Sequence, residues 1–137
     1  MVDEDSGETI GMFPLKQKTL GKGWLALYQS SAEWLATLHL SGEQYRVLLC
    51  ILGRLDFDNY LWISNKEIAD VLNMRPGQVS RAMGRLKELG IVVANSGTGK
   101  YFKSYRLNPD LVHKGANRHQ TLAEFKALMA TNAVDKA

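Results

Sequence analysis

The sequence has one cysteine, Cys50, among 137 residues. A single thiol supports neither an internal disulfide framework nor a zinc site built from several cysteines. Cys50 lies inside an apolar run, where it reads as a small buried hydrophobe. Long apolar runs are lacking too. The longest, Val47 to Leu52, is too short to span a bilayer. The first residues are acidic (Asp3, Glu4, Asp5, Glu8) and lack the basic-then-apolar order of a secretory signal. These absences describe a cytoplasmic protein with no membrane association.

Catalytic patterns are equally scarce. The three histidines, His39, His113 and His119, are scattered, so no metal-holding pair accompanies a tyrosine nucleophile. Asp56 and Asp58 sit in turn-forming sequence, and no serine–histidine or cysteine–histidine pattern stands out. Gly97-Thr98-Gly99-Lys100 resembles the end of a phosphate-binding loop, but Ala94 stands where that loop needs glycine and Tyr101 where it needs serine or threonine. The expectation is therefore a protein that is not an enzyme, with no catalytic residue, metal, cofactor or small-molecule substrate.

Net charge is also small, +3 from 17 basic and 14 acidic residues. Its distribution is uneven. Residues 1–74 carry 6 basic and 10 acidic groups, net −4, while residues 75–118 carry 9 basic and 2 acidic groups, net +7. Residues 119–137 sum to zero. A basic segment inside a nearly neutral chain is an electrostatic footprint for nucleic acid.

Helix-start signals organise the rest. Ser30 with Glu33, Ser41 with Gln44, Ser64 with Glu67, and Thr121 with Glu124 each have capping-box spacing. They open helices carrying, in turn, Trp34, Leu35 and Leu38; Tyr45, Leu48, Leu49 and Leu52; Ile68, Val71 and Leu72; and Leu122, Phe125 and Met129. Pro76 suits the first position of another helix, which stops at Gly90. Ile91–Ala94 and Lys100–Leu107 form a β-hairpin, and Leu61–Ile63 and Trp24–Tyr28 are short strands. Ile10 to Leu15 has the pattern of an edge strand. The expected layout is a flexible segment over residues 1–20, one domain over 21–115, and a C-terminal helix and tail over 116–137.

Residues 64–89 hold two helices joined by a short turn. Ala69 is small where the helices cross, Asn73 suits a left-handed turn position, and Val79 begins the second apolar seam. This is a helix-turn-helix. With the hairpin as a wing, the fold class is mainly α with a small β-hairpin (α+β), a winged helix-turn-helix. At about 100° per residue, Val79, Ala82, Met83, Leu86 and Leu89 face the core of the second helix. Gly77, Ser80, Arg81, Gly84, Arg85 and Glu88 share the opposite side. A mid-helix glycine costs about 1 kcal/mol relative to alanine, so Gly84 on an outer face suggests close approach to another surface. Small residues let such a helix enter a major groove while Arg81 and Arg85 reach bases or phosphates. The expected DNA contacts are Arg75, Gln78, Ser80, Arg81 and Arg85 on this helix, and Lys100, Lys103 and Arg106 on the wing. Tyr101, Phe102 and Tyr105 are expected to pack the hairpin onto the core.

Leu55-Asp56-Phe57-Asp58-Asn59, Ile68-Ala69-Asp70-Val71-Leu72-Asn73-Met74, Val79-Ser80-Arg81-Ala82 with Leu86, and Tyr105-Arg106-Leu107-Asn108-Pro109 before Lys114-Gly115 resemble the RepL-type plasmid replication proteins of Firmicutes. The similarity covers about residues 21–116, leaving out the acidic first eight residues and the last helix. It implies a winged-helix fold that binds duplex DNA, with Ser80, Arg81 and Arg85 reading the target and Gln78 at their flank. The chain departs from the pattern at Arg75, where a serine-type cap is expected. The partner expected is double-stranded DNA, bound as a homodimer on an inverted repeat; the apolar stripe of the last helix is expected to bury either on its own domain or against a partner chain. Two jobs remain open: plasmid replication initiator or regulator, and winged-helix transcriptional regulator of the MarR-like kind.

Overall fold

The computed structural model describes residues 21, 23–95 and 104–136, excepting the side chains of 133–136. The edge strand expected over Ile10–Leu15 and the wing tip lie outside these residues. In chain order the elements are β1 (Ala26–Leu27), α1 (Gln29–Ala36), α2 (Gly42–Gly53), a 3-10 turn (Phe57–Asn59), β2 (Tyr60–Leu61), α3 (Asn65–Leu72), α4 (Pro76–Glu88), β3 (Val92–Ala94), β4 (Tyr105–Leu107), β5 (Val112–His113) and α5 (Arg118–Lys136).

Two of the four capping boxes form as expected. Ser41 Oγ accepts from Gln44 N at 3.1 Å and Gln44 Oε1 from Ser41 N at 3.0 Å, opening α2. Ser64 and Glu67 do the same for α3 at 3.1 and 3.0 Å. The Ser64 bonds hold the Glu67 carboxyl below its ordinary range. The other two expected boxes do not form. Helix α1 begins one residue before Ser30, with Tyr28 at the cap and no side-chain bond there. Ser31, in its first turn, donates instead to Asp110 O at 3.1 Å. Helix α5 begins at Arg118, where Asn117 Oδ1 accepts from Gln120 N at 3.0 Å, and Thr121 Oγ1 bonds back to Asn117 O. Ser30 thus falls inside α1 rather than at its cap, and Thr121 is overruled by the earlier Asn117.

The turn between α3 and α4 is closed by Asn73 at φ 54°, ψ 49°. Its N–H donates to Asp70 O and that of Met74 to Ala69 O, satisfying carbonyls that the helix end leaves bare. Arg46 on α2 adds a bond of 2.8 Å to Leu72 O. The end of α4 is built likewise. Gly90, at φ 75°, donates to Lys87 O, and Ile91 N donates to Leu86 O at 3.0 Å. Only a residue free to adopt that conformation turns the chain directly from helix into β3.

The strands form two small antiparallel sheets. One has the order β2-β4-β3, with Tyr60 opposite Arg106 and Val93 opposite Arg106 on the other side; the second pairs β1 with β5. The expected wing hairpin thus gains a third strand from the segment before α3. Val47, Leu48 and Ile51 of α2 meet Ile68 and Ala69 of α3, and Val79, Ala82, Met83 and Leu86 of α4, in one buried cluster with Leu61, Leu107 and Val112. Leu49, expected in this seam, is 66% exposed because the buried stripe of α2 runs through the neighbouring positions. Cys50 is half-buried against the cluster rather than enclosed, and burial pushes its thiol pKa up.

Asn59 explains why the turn before β2 and the segment after β4 carry distinctive residues. It is fully buried, and its Nδ2 donates to Leu107 O at 3.0 Å and Val112 O at 2.8 Å. Its Oδ1 accepts from Lys114 N at 2.9 Å. Asp58 N donates to Lys114 O, and a Cβ at Gly115 would stand 2.8 Å from Asp58 Oδ1. Asn108 Nδ2 donates to Gly90 O at 3.0 Å. These residues staple the wing strands to the helix ends; they are architecture.

Candidate nucleic-acid interface

Helix α4 presents the outer face that its sequence predicts. Val79, Ala82, Met83 and Leu86 are buried, while Gly77, Ser80, Arg81, Arg85 and Glu88 are exposed. An ideal Cβ at Gly84 meets no atom of the described residues within 4 Å, so none of them requires glycine there. At Gly77 the nearest atom is Arg81 Nη1 at 3.7 Å, an ordinary contact. The surface is smooth along one side and carries guanidinium groups on the other.

Those groups differ in how they are held. The guanidiniums of Arg75 and Arg81 make no hydrogen bond or ion pair with the described residues. Arg85 Nη1 lies 3.3 Å from Glu88 Oε1, one turn on, with 43% and 72% of the two side chains exposed. Exposed pairs of this kind contribute little, so Arg85 is easily redirected. Arg75 occupies the position before Pro76, and its N–H donates to Gln78 Oε1 at 2.9 Å. Gln78 therefore supplies half of a capping box, which compensates for the missing serine. The same side chain gives its Nε2 to Glu43 Oε2 on α2. Glu43 was not an expected site residue. It lies 35 positions earlier and reads in sequence as an ordinary first-turn acid.

The wing departs from expectation at Arg106. Lys100 and Lys103, with Tyr101 and Phe102, lie outside the described residues. Arg106, expected on a DNA-facing strand side, is 3% exposed. Its guanidinium stacks over the Tyr60 ring at 3.9 Å, donates to Asp58 O at 3.1 and 2.9 Å, and pairs with Glu124 Oε1 at 2.9 Å. The middle residue of the central strand β4 faces inward, and the cation is fully matched there. Burial also raises the Tyr105 pKa, with its hydroxyl donating to Asn65 Oδ1 at 3.3 Å. The Lys87 ammonium lies 5.3 Å from the Tyr105 ring centre, joining α4 to the sheet.

Helix α5 lies on the wing strands. Asn132 Nδ2 donates to Ala94 O at 3.3 Å, and Phe125 is 3% exposed. Leu122 and Leu128 are half-buried, and Met129 is 39% exposed. The apolar stripe of α5 is therefore largely spent within its own chain. Among the described residues no group of three or more histidine, cysteine or acidic side chains could hold a metal, and no helix is long and apolar enough to cross a membrane.

The model of the RepL family, Firmicute plasmid replication proteins, matches residues 1–136. The chain belongs to the RepL family. The match extends over the acidic first residues and α5, beyond the stretch that motif resemblance marked out. The family is one of plasmid replication proteins, and the fold is a winged helix-turn-helix. Among solved structures this RepL chain is similar to the zinc-responsive MarR family member ZitR of Lactococcus lactis (14% identity over 90% of this chain and 74% of that one, TM-score 0.44). The same ZitR in complex with DNA gives 14% identity, 90% and 73% coverage and a TM-score of 0.42. MepR, a transcription regulator of the Staphylococcus aureus multidrug efflux pump MepA, gives 12% identity, 80% and 74% coverage and a TM-score of 0.38. No curated protein sequence matches the chain.

Proposed function

We propose that this RepL chain initiates or regulates plasmid replication by binding a specific duplex DNA sequence. Helix α4 enters the major groove, and the wing over residues 91–107 lies on the phosphate backbone or in the minor groove. The observation that carries this reading is the outer face of α4. It combines small residues at Gly77, Ser80 and Gly84 with guanidiniums at Arg75 and Arg81 that no described residue neutralises. A cation without an internal partner beside a smooth helix face suits a close polyanion. Arg81 and Arg85 are the base readers, Ser80 packs between them, and Arg75 with Lys100 and Lys103 holds phosphates. Two copies bound to an inverted repeat would present two such helices one helical turn apart.

The test is capture of bound fragments from a plasmid digest, followed by electrophoretic shift in a salt titration. Retention of an origin fragment, with loss of plasmid replication on disruption of that site, is the expected outcome. Selective retention of a promoter fragment would instead favour transcriptional regulation. No shift on any fragment at low salt would refute DNA binding. Light scattering of the complex gives the copy number; one chain per site would refute the two-copy arrangement.

A further inference from the structure

Gln78 is the first side chain of α4 able to reach a base edge, and it is held from both sides. Its Oε1 accepts from Arg75 N at 2.9 Å, and its Nε2 donates to the carboxylate of Glu43 from α2. The two partners agree on the amide's orientation, because a backbone N–H requires the oxygen and a carboxylate requires the nitrogen. A glutamine that reads adenine uses both ends at once, accepting from N6 and donating to N7. With its oxygen turned to the backbone and one N–H turned to Glu43, Gln78 keeps one outward donor. That leaves it suited to a lone acceptor, such as guanine O6 or N7, thymine O4 or adenine N7, without the second bond that makes glutamine select adenine.

We infer that Glu43, a residue on a different helix, sets the base preference beneath Gln78 by locking its carboxamide, so that this position takes any base presenting a major-groove acceptor and loses the two-point preference for adenine that a free glutamine would show. Glu43 acts here as a positioning residue and touches no base itself. Its carboxylate is tolerable at a DNA-facing helix end because the Gln78 amide engages it. The inference rests on the reading that α4 enters the major groove.

The test uses the full chain and the best-bound plasmid fragment, varied one base pair at a time. Three variants are compared with the unaltered protein: Glu43→Ala, Glu43→Gln and Gln78→Ala. Glu43→Ala frees the amide, so relative affinity for adenine at one position should rise by about 5- to 150-fold, the range a well-made side-chain pair discriminates. Preferences elsewhere should stay put. Glu43→Gln keeps an acceptor for Nε2 while removing the charge. It should strengthen binding to all duplexes alike and leave the preference intact, which separates orientation from electrostatics. Gln78→Ala should flatten that one position. A Glu43→Ala variant that binds every duplex more tightly with an unchanged profile would overturn the inference. So would an unaltered protein that prefers adenine at the position Gln78→Ala flattens. An unaltered protein that binds no duplex would defeat the functional reading itself, an outcome visible before any variant is made.

Discussion

Replacing Gly84 with alanine sets stability and binding against each other. Gly84 lies in the ninth position of the thirteen-residue helix α4. An added Cβ there meets nothing within 4 Å among the described residues, so the substitution introduces no clash with them. The helix should then receive the full difference in propensity, about 1 kcal/mol. For a domain of this length that corresponds to a rise in Tm of roughly 3–4 °C. Binding should move the other way. If the face seats against the floor of a groove, a methyl group there acts as overpacking does in a core, at a cost of about 1–3 kcal/mol. Affinity should then fall by roughly 5- to 150-fold. Thermal denaturation followed by circular dichroism gives the first quantity, and a shift assay at fixed salt gives the second. A variant that is more stable and binds equally well would show that nothing approaches this face closely. The groove-insertion argument would then fail.

Arg81→Ala should cost about 1–3 kcal/mol of binding and relax sequence preference at one or two base pairs. A uniform loss across all duplexes would make Arg81 a phosphate contact instead. Asn59→Ala removes two donated bonds and one accepted bond from a fully buried side chain. It should lower stability by about 3 kcal/mol or more in urea denaturation, and a loss below about 1 kcal/mol would contradict the stapling role. The bonds from Arg106 and Gln120 depress the folded pKa of Glu124. Its contribution is therefore present above the unfolded carboxyl value, about 4.3, and is lost as pH falls through the lower folded value. The urea midpoint should drop across that acid range, and Glu124→Gln should flatten the drop. An equally steep fall in the variant would assign it to other carboxyls.

The helical half of this fold was legible because its signals are local. Ser41 with Gln44, Ser64 with Glu67, Asn73, Pro76 and Gly90 each act within one turn of themselves, and the structure uses all of them. Ser30 and Thr121 misled for the complementary reason. Their spacing matched a box, but α1 starts at Gln29, which places Ser30 inside the helix, and Asn117 takes the capping place ahead of Thr121. Glu43 could not have been found from spacing, since its relation to Gln78 exists only once α2 and α4 are packed. The short strand expected at Leu61–Ile63 forms one residue earlier, but its pairing with β4 exists only in the folded chain, and β5, two residues long, has no alternating pattern to announce it.

Arg106 bears directly on how the basic segment should be counted. A net charge of +7 over residues 75–118 invites all nine cations of that segment onto DNA. The structure places four of them otherwise. Arg106 is enclosed by Tyr60, Asp58 and Glu124. Arg118 pairs with Asp110 and lies over the Tyr28 ring. The Lys114 ammonium donates to Leu55 O and lies over Phe57, and that of Lys87 lies over Tyr105. Each cation that contacts phosphate should contribute about 0.9 to the slope of log affinity against log salt. Arg75→Ala, Lys100→Ala and Lys103→Ala should therefore each reduce the slope by about that amount, whereas Arg106→Gln and Lys114→Gln should leave it unchanged, whatever they do to stability. Stability is measured separately, so a less folded population does not imitate a lost contact. A slope that falls by a full unit on removal of Arg106 would mean that this guanidinium leaves Glu124 on binding. The sheet and α5 would then have to part when DNA is engaged, which the buried stacking on Tyr60 opposes.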